Sequence, residues 1–348
     1  MVFNQSFSID DTFIGEGYKP YIIAEMSANH GNDINTAIEI IKKAKSAGAD
    51  AIKIQTYTAD TLTLKSEKPH FKAKGAWKGQ YLYDLYLDAS MPWKWTPKLQ
   101  EVAKEVGITL FSSPFDVTSI EFLESCNMPA YKIASPEIVD LPLVRRIAQT
   151  GKPIIISTGN ATIAQINDAC VIMKEENVRD VVLLKCTSEY PAPAESINLS
   201  TIPHMKALFK CPVGLSDHSL GTAIPIASIA FGVSVIEKHF IISRDNKTAD
   251  SFFSATPNEL KEIVEGTLQV YKAIGCVDYP LVPCPSQRSL IAVKDISKNE
   301  LFIENENIKS LRPGGGIESK EIANVEGRKA TKKIPKGSLL SWDLVGGY

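Results

Sequence analysis

The segment YIIAEMSANH (Tyr21–His30) runs from a continuous apolar stretch straight into polar side chains, and this arrangement recurs along the chain. Short apolar stretches without alternation are typical of parallel strands that are covered on both faces. The sequence predicts eight such strands, which are Tyr21–Met26, Ala51–Thr56, Thr109–Ser112, Tyr131–Ala134, Ile154–Ser157, Val181–Cys186, Val213–Ser216 and Val233–Lys238. A parallel sheet is therefore expected to form the core of the protein.

Amphipathic helices are predicted between these strands. Their apolar residues recur at helical spacing, and a glycine follows the last turn, where a left-handed residue commonly ends a helix. The clearest are Ile34–Ala47, Thr96–Val106, Asp140–Thr150 and Pro257–Ile274, followed by Gly48, Gly107, Gly151 and Gly275. Eight strand–helix repeats over about 250 residues favour a TIM (β/α)8 barrel over an open doubly wound sheet. The first turn, Ser27–Gly31, also lacks the glycine-rich fingerprint of a dinucleotide site.

Two segments interrupt the repeats. Thr58–Trp95 is much longer than an ordinary strand-to-helix connection, and its aromatic residues are Phe71, Trp77, Tyr81, Tyr83, Tyr86, Trp93 and Trp95. This insertion is either a packed decoration or a wall of the active site, which in this fold is built from the loops after the strands. The proline-rich stretch 276–287 is interpreted as a linker. It separates a barrel domain, 1–275, from a small β-rich domain, 288–348.

Composition and charge exclude several classes of function. The formal net charge is −2, so no strong field attracts nucleic acid or an anionic membrane. No apolar stretch approaches the roughly 18 to 20 residues that a spanning helix needs, and no signal peptide is recognisable. The six cysteines form no C-x-x-C pair, which favours reduced, mostly buried thiols in a cytoplasmic protein.

Two lysines, Lys53 and Lys132, lie within predicted apolar strands. A buried ammonium group is costly unless an anion partners it. Either each lysine pairs with a carboxylate of the barrel such as Glu25, or the two together bind an anionic substrate. Serines follow the neighbouring strands, and hydroxyls together with two ammonium groups are what a phosphate and a carboxylate need. The sequence therefore favours anion binding at this end of the barrel.

Two histidines, His218 and His239, follow the last two predicted strands. Facing imidazoles can hold a divalent ion whose remaining positions are open to water and substrate, as in catalytic metal sites. Mixed nitrogen and oxygen ligands suit Mn²⁺ or Mg²⁺. Carboxylates near the same strand ends could act as a general base or orient the histidines, and the candidates are Glu25, Glu137, Asp217 and Asp250.

Several motifs, in their order and spacing, resemble the sialic acid synthase family over nearly the whole chain. They are AEMSANH, IKIQTY, LFSSPFD, YKIASPE, ISTGNAT, LLKCTSEYP, GLSDHS, IEKHF and RPGGGI. Members of this family condense phosphoenolpyruvate with the aldehyde of an amino sugar. The resemblance implies a metal-dependent transferase with a C-terminal antifreeze-like (SAF) domain. It also implies a domain-swapped homodimer in which the tail reaches over the partner's barrel.

The resemblance assigns roles to individual residues. It implies a phosphoenolpyruvate pocket made of Lys53, Ser113, Lys132, Ser135, Ser157 and Ser188, and metal ligands His218 and His239. It implies contacts to the sugar and the intermediate from Glu25, Gln55, Glu137, Tyr190 and Asp250, with Arg312 of the tail reaching the sugar across the dimer. The expected catalytic residues are Glu25, Lys53, Lys132 and Asp250, with Glu25 as the candidate for proton handling.

Within the family, the motifs KIQTYT, GAWKGQYLYDLY and MPWKW resemble the branch that makes pseudaminic acid from 2,4-diacetamido-2,4,6-trideoxy-L-altrose. Ser188 departs from the sialic acid branch, which typically has asparagine there, and Thr96 departs from the pseudaminic pattern of a histidine after MPWKW. Sialic and legionaminic acid synthases, which use the same chemistry on other amino sugars, are the alternatives. Two more distant rivals are another phosphoenolpyruvate-condensing or aldolase barrel and a non-enzymatic binding protein built around the C-terminal domain.

Overall fold

The computed structural model describes residues 2–281 and 284–347. The chain divides into two compact units, Met1–Gly275 and Cys276–Tyr348. The stretch interpreted as a linker, 276–287, opens the second unit, and its residues Val282 and Pro283 lie outside the described part. Within the described residues, no helix is both long and apolar enough to cross a bilayer. All six cysteines are free: Cys170, Cys186 and Cys211 are buried, Cys126 is half-buried, and Cys276 and Cys284 are exposed.

The first unit is a closed, parallel eight-stranded barrel with helices around it, which confirms the predicted TIM-barrel fold. An antiparallel hairpin of β1 (Ser6–Ile9) and β2 (Thr12–Gly15) precedes it. The barrel strands are β3 (Tyr21–Glu25), β4 (Ala51–Thr56), β5 (Thr109–Pro114), β6 (Tyr131–Ile133), β7 (Ile154–Ser157), β8 (Val181–Cys186), β9 (Val213–Asp217) and β10 (Val235–His239). Each strand pairs with the next, and β10 closes the barrel against β3.

The helices follow the strands in the order expected of this fold. Those of the first unit are α1 (Ile34–Ser46), α2 (Ala59–Leu62), α3 (Leu82–Ala89), α4 (Thr96–Val106), α5 (Val117–Ser125), α6 (Leu141–Ala148), α7 (Ile163–Glu175), α8 (Ala194–Ile197), α9 (Thr201–Phe209), α10 (Ala223–Ser228) and α11 (Pro257–Ile274). Side-chain caps fix several starts; for example, the Asp33 carboxylate accepts from two backbone N–H groups of α1. Gly107 ends α4 with a left-handed backbone at φ 71°.

The hydrophobic core of the barrel unit consists of two clusters of buried residues. The larger lies between strands and helices, and the smaller fills the barrel interior. The interior cluster includes Ile23, Phe111 and Val235 from the strands, and Phe7 and Ile14 from the N-terminal hairpin. The hairpin, which was not predicted from the sequence, therefore closes the end of the barrel where the strands begin. This apolar plug leaves the other end, where the strands terminate, for polar side chains.

The second unit is small and contains a short antiparallel strand pair. Its elements are β11 (Ser289–Ala292), β12 (Ile308–Leu311) and α12 (Ile322–Val325). Isolated bridges such as Ile291 to Leu339 and Ile296 to Ile334 extend the pairing. An apolar cluster that includes Leu290, Phe302 and Leu340 forms its own core. The unit is thus β-rich, as expected for a SAF domain.

Candidate active site

Two buried ion pairs form the deepest layer of polar side chains at the C-terminal ends of the strands. Lys132 Nζ lies 2.7 Å and 2.8 Å from the two carboxylate oxygens of Glu237. Lys53 Nζ lies 2.5 Å from Glu25 Oε2 and 3.8 Å from Glu237 Oε1. Strand register explains one pair, since Glu25 of β3 stands beside Lys53 of β4. Both lysines therefore have a carboxylate partner, the first of the two alternatives considered from the sequence.

The ion pairs of this layer offset the cost of burial at Glu237 and Lys53, whereas at Lys132 burial dominates and lowers the pKa of the ammonium group. Burial alone would raise the pKa of Glu237, but the charges of Lys132 and Lys53 outweigh it and hold that pKa at about 2. Burial also lowers the pKa of Lys53, and here Glu237 and Glu25 reverse the shift, so that the pKa ends above its usual value. Two ammonium groups facing two carboxylates leave no net charge, and an arriving anion must compete with Glu25 and Glu237 for the lysines.

A group of hydroxyls lies next to the lysines. Ser157 Oγ is buried and has no hydrogen-bond partner. Ser113 Oγ lies 3.3 Å from Lys53 Nζ, and Ser135 Oγ accepts the Gly159 N–H at 3.0 Å. A Cβ at Gly159 would lie 2.2 Å from Ser188 Oγ and 2.8 Å from Ser135 Oγ. The glycine therefore lets two hydroxyls converge beside an unsatisfied third, which is a cradle suited to anionic oxygens.

The two predicted histidine ligands lie together at the ends of β9 and β10, with ring centroids 5.4 Å apart. His218 Nδ1 lies 2.8 Å from the Thr187 carbonyl, which favours the tautomer whose Nε2 carries a lone pair. Burial and, to a smaller extent, the nearby His239 ring lower the pKa of His218 to about 3, so the ring is neutral. His239 Nδ1 is buried without a hydrogen-bond partner and lies 3.6 Å from Asp250 Oδ2.

These features fit a divalent cation with few protein ligands. In the described part of the chain, no group of three or more His, Cys, Asp or Glu side chains is arranged to hold a metal. A neutral imidazole oriented by a carbonyl and a second imidazole that faces a carboxylate through its Nδ1 are nevertheless a suitable pair of donors. Such a pair leaves most coordination positions to water and substrate, the catalytic type of site. Asp217, by contrast, pairs with buried Lys238 at 2.5 Å and does not line the cavity.

The cavity above this layer has a volume of about 330 Å³. Its floor is polar and consists of Lys53, Lys132, Ser157, Ser216 and Glu237. We define the wall as the face of α3 that lines the cavity, which consists of Leu82, Leu85, Tyr86 and Ala89. The insertion 58–95 is therefore a wall of the cavity, which was the functional alternative for this segment.

Aromatic rings from three loops form the roof of the cavity. The Tyr190 ring lies tilted against the His218 ring with centroids 4.3 Å apart, and the Trp77 ring of the insertion lies 5.3 Å from the Tyr190 ring. The indole N–H of Trp77 donates to the Ala249 carbonyl at 2.9 Å. Asp250, next in sequence, lines the cavity. Trp77 thus links the insertion to the loop that carries Asp250.

Most of the predicted site residues meet at this cavity. Those that line it are Lys53, Gln55, Lys132, Ser135, Ser157, Tyr190, His218, His239 and Asp250. Glu25, Ser113 and Ser188 contact lining residues or lie beside them. Glu137 follows β6 in a short helical turn, where burial raises the pKa of its carboxyl group to about 7. Arg312 is exposed and belongs to the second unit.

Comparison with known proteins identifies the family. A family model described as NeuB family matches residues 40–279, and a SAF domain model matches residues 287–346. The chain belongs to the NeuB family. Pseudaminic acid synthase of Campylobacter jejuni is 45% identical over 328 residues, which cover 92% of this chain and 95% of that protein. Pseudaminic acid synthase of Helicobacter pylori is 42% identical over 331 residues, covering 93% and 97%.

Other branches of the NeuB family are also similar to the chain. The solved structure of an N-acetylneuraminic acid synthetase from Leptospira borgpetersenii is 32% identical, with a TM-score of 0.72 and coverage of 82% of this chain and 94% of that one. An N,N'-diacetyllegionaminic acid synthase of Campylobacter jejuni is 34% identical over 333 residues, which cover 92% of this chain and 99% of that protein. The protein is thus a phosphoenolpyruvate-dependent NeuB-family synthase of the transferase class, and the predicted family is confirmed.

Several residues of this NeuB-family site were not singled out from the sequence. Glu237 is the most important of them, since it is the main partner of Lys132. Its signal was its place in β10 two residues before His239, which puts both side chains on the same face of the strand. Gly159 was visible only as the glycine after β7. The remaining lining residues, among them Lys74 and Cys186, carried no distinctive pattern.

Proposed function

We propose that this protein is a pseudaminic acid synthase that condenses phosphoenolpyruvate with 2,4-diacetamido-2,4,6-trideoxy-L-altrose and water, giving pseudaminic acid and phosphate. The observation that carries the proposal is the floor of the cavity, where Lys53 and Lys132 lie buried beside the unpartnered hydroxyl of Ser157. Phosphoenolpyruvate carries the phosphate and carboxylate that such a floor would bind. The 45% identity to a pseudaminic acid synthase supports the choice of sugar.

In the proposed reaction, C3 of phosphoenolpyruvate forms a bond to the aldehyde carbon of the sugar. The aldehyde oxygen takes up a proton and becomes a hydroxyl group. A water oxygen bonds to C2 and gives up one proton, which balances the proton taken up by the aldehyde oxygen. The bond between C2 and the phosphate oxygen then breaks, the remaining water proton leaves with the phosphate, and C2 becomes the ketone carbon of the product. Lys53 and Lys132 would stabilise the anionic groups throughout, as preorganised charges that need no reorientation during the reaction.

Binding of the anion would also change the interactions of Glu25, the carboxylate that pairs with Lys53 of the floor. Glu25 Oε2 lies 2.5 Å from Lys53 Nζ, and the Oε1 atom of Glu237 lies farther from the same nitrogen, at 3.8 Å. When phosphoenolpyruvate contacts Lys53, that ammonium group would divide its interactions between the substrate and Glu25. Gln55, whose amide donates to Glu25 Oε1 at 2.8 Å, would hold the carboxylate in position meanwhile. We therefore keep Glu25 as the candidate for proton handling.

A divalent ion held by His218 and His239, Mn²⁺ or Mg²⁺, would polarise the sugar aldehyde as a Lewis acid. The neutral His218 ring, oriented by the Thr187 carbonyl at 2.8 Å, supports this assignment. Asp250 would orient His239 from 3.6 Å. Burial alone would raise the pKa of Asp250, but the His239 ring and donors at Ser27 and Ala28 lower it, so it is ionised and suited to the role.

The remaining parts of the proposal concern assembly and location. A homodimer in which Arg312 of one copy reaches the sugar site of the other accords with an arginine that is exposed on the second unit. Arg312→Ala would then lower turnover without unfolding the barrel. Phosphoenolpyruvate is a cytoplasmic metabolite, and the cytoplasm is accordingly the compartment in which we expect the enzyme to act.

The proposal is tested by phosphate release from phosphoenolpyruvate in the presence of Mn²⁺. Parallel reactions contain the altrose derivative, N-acetylmannosamine or the legionaminic precursor, and the mass of each product is measured. We expect release with the altrose derivative alone, and its loss on chelation and recovery when Mn²⁺ is added back. Release with another sugar alone would keep the chemistry and move the protein to the sialic or legionaminic branch. Full activity after chelation would exclude the metal assignment.

A further inference from the structure

Helix α3 differs from the other long helices of the barrel unit in what its apolar face contacts. Leu82, Leu85, Tyr86 and Ala89 recur at the i, i+3, i+4, i+7 spacing that forms one face of a helix. Such a face normally packs into a core, but no residue of α3 is buried. All four of these residues line the cavity instead. The apolar face therefore has the interior of the cavity as its partner.

We propose that this wall is the specificity-determining surface for the sugar, and that it selects a substrate with a methyl group at C6 rather than a hydroxymethyl group. The inference rests on the proposed function and names the residues that set its substrate class. The aldehyde carbon has to react near the buried floor, since Lys53 and Lys132 are only 3% and 2% exposed. The residues of α3 are half-buried or exposed. The far end of the sugar chain would then lie at the wall.

The chemistry of the wall decides what that far end can be. The backbone of a helix interior is already hydrogen-bonded, and leucine and alanine side chains offer no donor or acceptor. A hydroxyl group pressed against Leu82, Leu85 and Ala89 would lose its contacts to water without replacement, which is unfavourable. A methyl group at the same place gains from burial. Apolar pockets discriminate against an added hydroxyl by about 10- to 100-fold.

Tyr86, the aromatic residue of the wall, packs against other aromatic rings. The Tyr86 ring contacts the Tyr57 ring edge-on at 6.1 Å, and Tyr57 contacts Phe115 at 5.2 Å. This chain of rings connects α3 to the loops after β4 and β5. The wall is therefore held in place by packing, and it presents a fixed shape that is apolar apart from the Tyr86 hydroxyl.

Helix α3 also supplies a matched control. Leu87 lies on the opposite face and is 54% exposed. The experiment compares Leu85→Asn with Leu87→Asn, and Leu82→Asn serves as a second variant of the wall. Each protein, including the wild type, is assayed for phosphate release with the altrose derivative and with its 6-hydroxy counterpart at saturating phosphoenolpyruvate.

We expect the wild type to prefer the 6-deoxy sugar by about 10- to 100-fold in kcat/KM. Leu85→Asn and Leu82→Asn should narrow that ratio severalfold, mainly by losing activity on the 6-deoxy sugar, whereas Leu87→Asn should leave it unchanged. Equal use of both sugars by the wild type would overturn the inference while leaving the proposed function intact, and this result needs no variant to fold. A wall variant that weakens both sugars equally would also overturn it. Absence of phosphate release with either sugar would overturn the proposed function and the inference with it.

Discussion

The floor and the wall of the cavity are held in place in different ways. The floor residues Lys53, Lys132 and Glu237 come from barrel strands, are fully buried, and are locked by mutual ion pairs. The wall residues come from one helix of an insertion, are half-buried, and carry no charge. A strand can position a charge within a fraction of an ångström, which suits bond-making. The insertion can change without disturbing the barrel, which suits the choice of sugar.

This difference makes a general prediction about substitutions. Substitutions in the floor should lower the turnover of every sugar by a similar factor, because all of the sugars react with the same phosphoenolpyruvate. Changes in the wall should alter the ratio between sugars. The largest effect is expected from a change in the floor.

Replacing Lys132 should produce that largest effect. Lys132→Met removes one of two ammonium groups from the floor, and losing one preorganised charge typically costs about 10²–10³ in rate. It also leaves Glu237 buried without its main partner, which costs about 3–5 kcal/mol of stability. We expect phosphate release to fall by that factor with any accepted sugar, and urea unfolding to show the loss of stability.

The double variant Lys132→Met/Glu237→Gln separates the two consequences. Removing both charges of a buried pair restores much of the stability that removal of one destroys. The double variant should therefore unfold near the wild-type urea concentration while remaining inactive. If activity returned together with stability, Lys132 would serve the fold and not the reaction.

The sequence was informative about the floor because strand ends converge in this fold. Lys53, Lys132, His218 and His239 were each placed at a strand end, and a closed barrel brings such ends to one mouth. The pairing of Lys132 with Glu237 could not be predicted in the same way. These residues lie on β6 and β10, which are not neighbours in the sheet. Which side chains meet across the barrel interior depends on register and tilt around the whole barrel.

The wall shows a different limit to what can be predicted from the sequence. The helical spacing of Leu82, Leu85, Tyr86 and Ala89 can be read directly, but it does not say whether the stripe faces a core or a cavity. The aromatic content of the insertion was a weaker guide, since only Trp77 and Tyr86 among its seven aromatic residues line the cavity. Trp93, for example, stacks on Phe122 at 5.1 Å and supports the fold.

Gly159→Ala should have an intermediate effect that is confined to one substrate. The added Cβ would approach Ser188 Oγ to 2.2 Å and Ser135 Oγ to 2.8 Å. Serine hydroxyls can rotate away, so the fold should survive, but their convergence would be lost. Misplacement by about 1 Å can cost about 10²-fold in rate, and we expect KM for phosphoenolpyruvate to rise about 10- to 100-fold. KM for the sugar should stay nearly constant. A rise in KM for the sugar with an unchanged KM for phosphoenolpyruvate would show that Gly159, Ser135 and Ser188 do not form the phosphoenolpyruvate site.

Glu137 gives the smallest predicted effect and lies between the floor and the wall. Its carboxyl group interacts electrostatically with Lys132 on one side and Tyr86 on the other. Burial raises its pKa from 4.5 to about 7, and its Oε2 atom has no hydrogen-bond partner. Between these two values the folded protein keeps a proton that the unfolded chain has released. This group therefore costs no stability below about pH 4, its cost grows as pH rises to about 7, and the cost is constant above that.

Glu137→Gln removes this pH dependence because an amide does not titrate in this range. Relative to the variant, the wild type should lose stability between pH 5 and pH 8. The shift in pKa sets an upper limit of about 3 kcal/mol, and partial exposure should reduce the loss to about 1–2 kcal/mol, a few degrees in Tm. The measurement is the difference in Tm between wild type and variant at the two pH values. A constant difference would show that Glu137 is ionised throughout this range, and a carboxylate so stabilised would belong with the ion-paired charges of the floor.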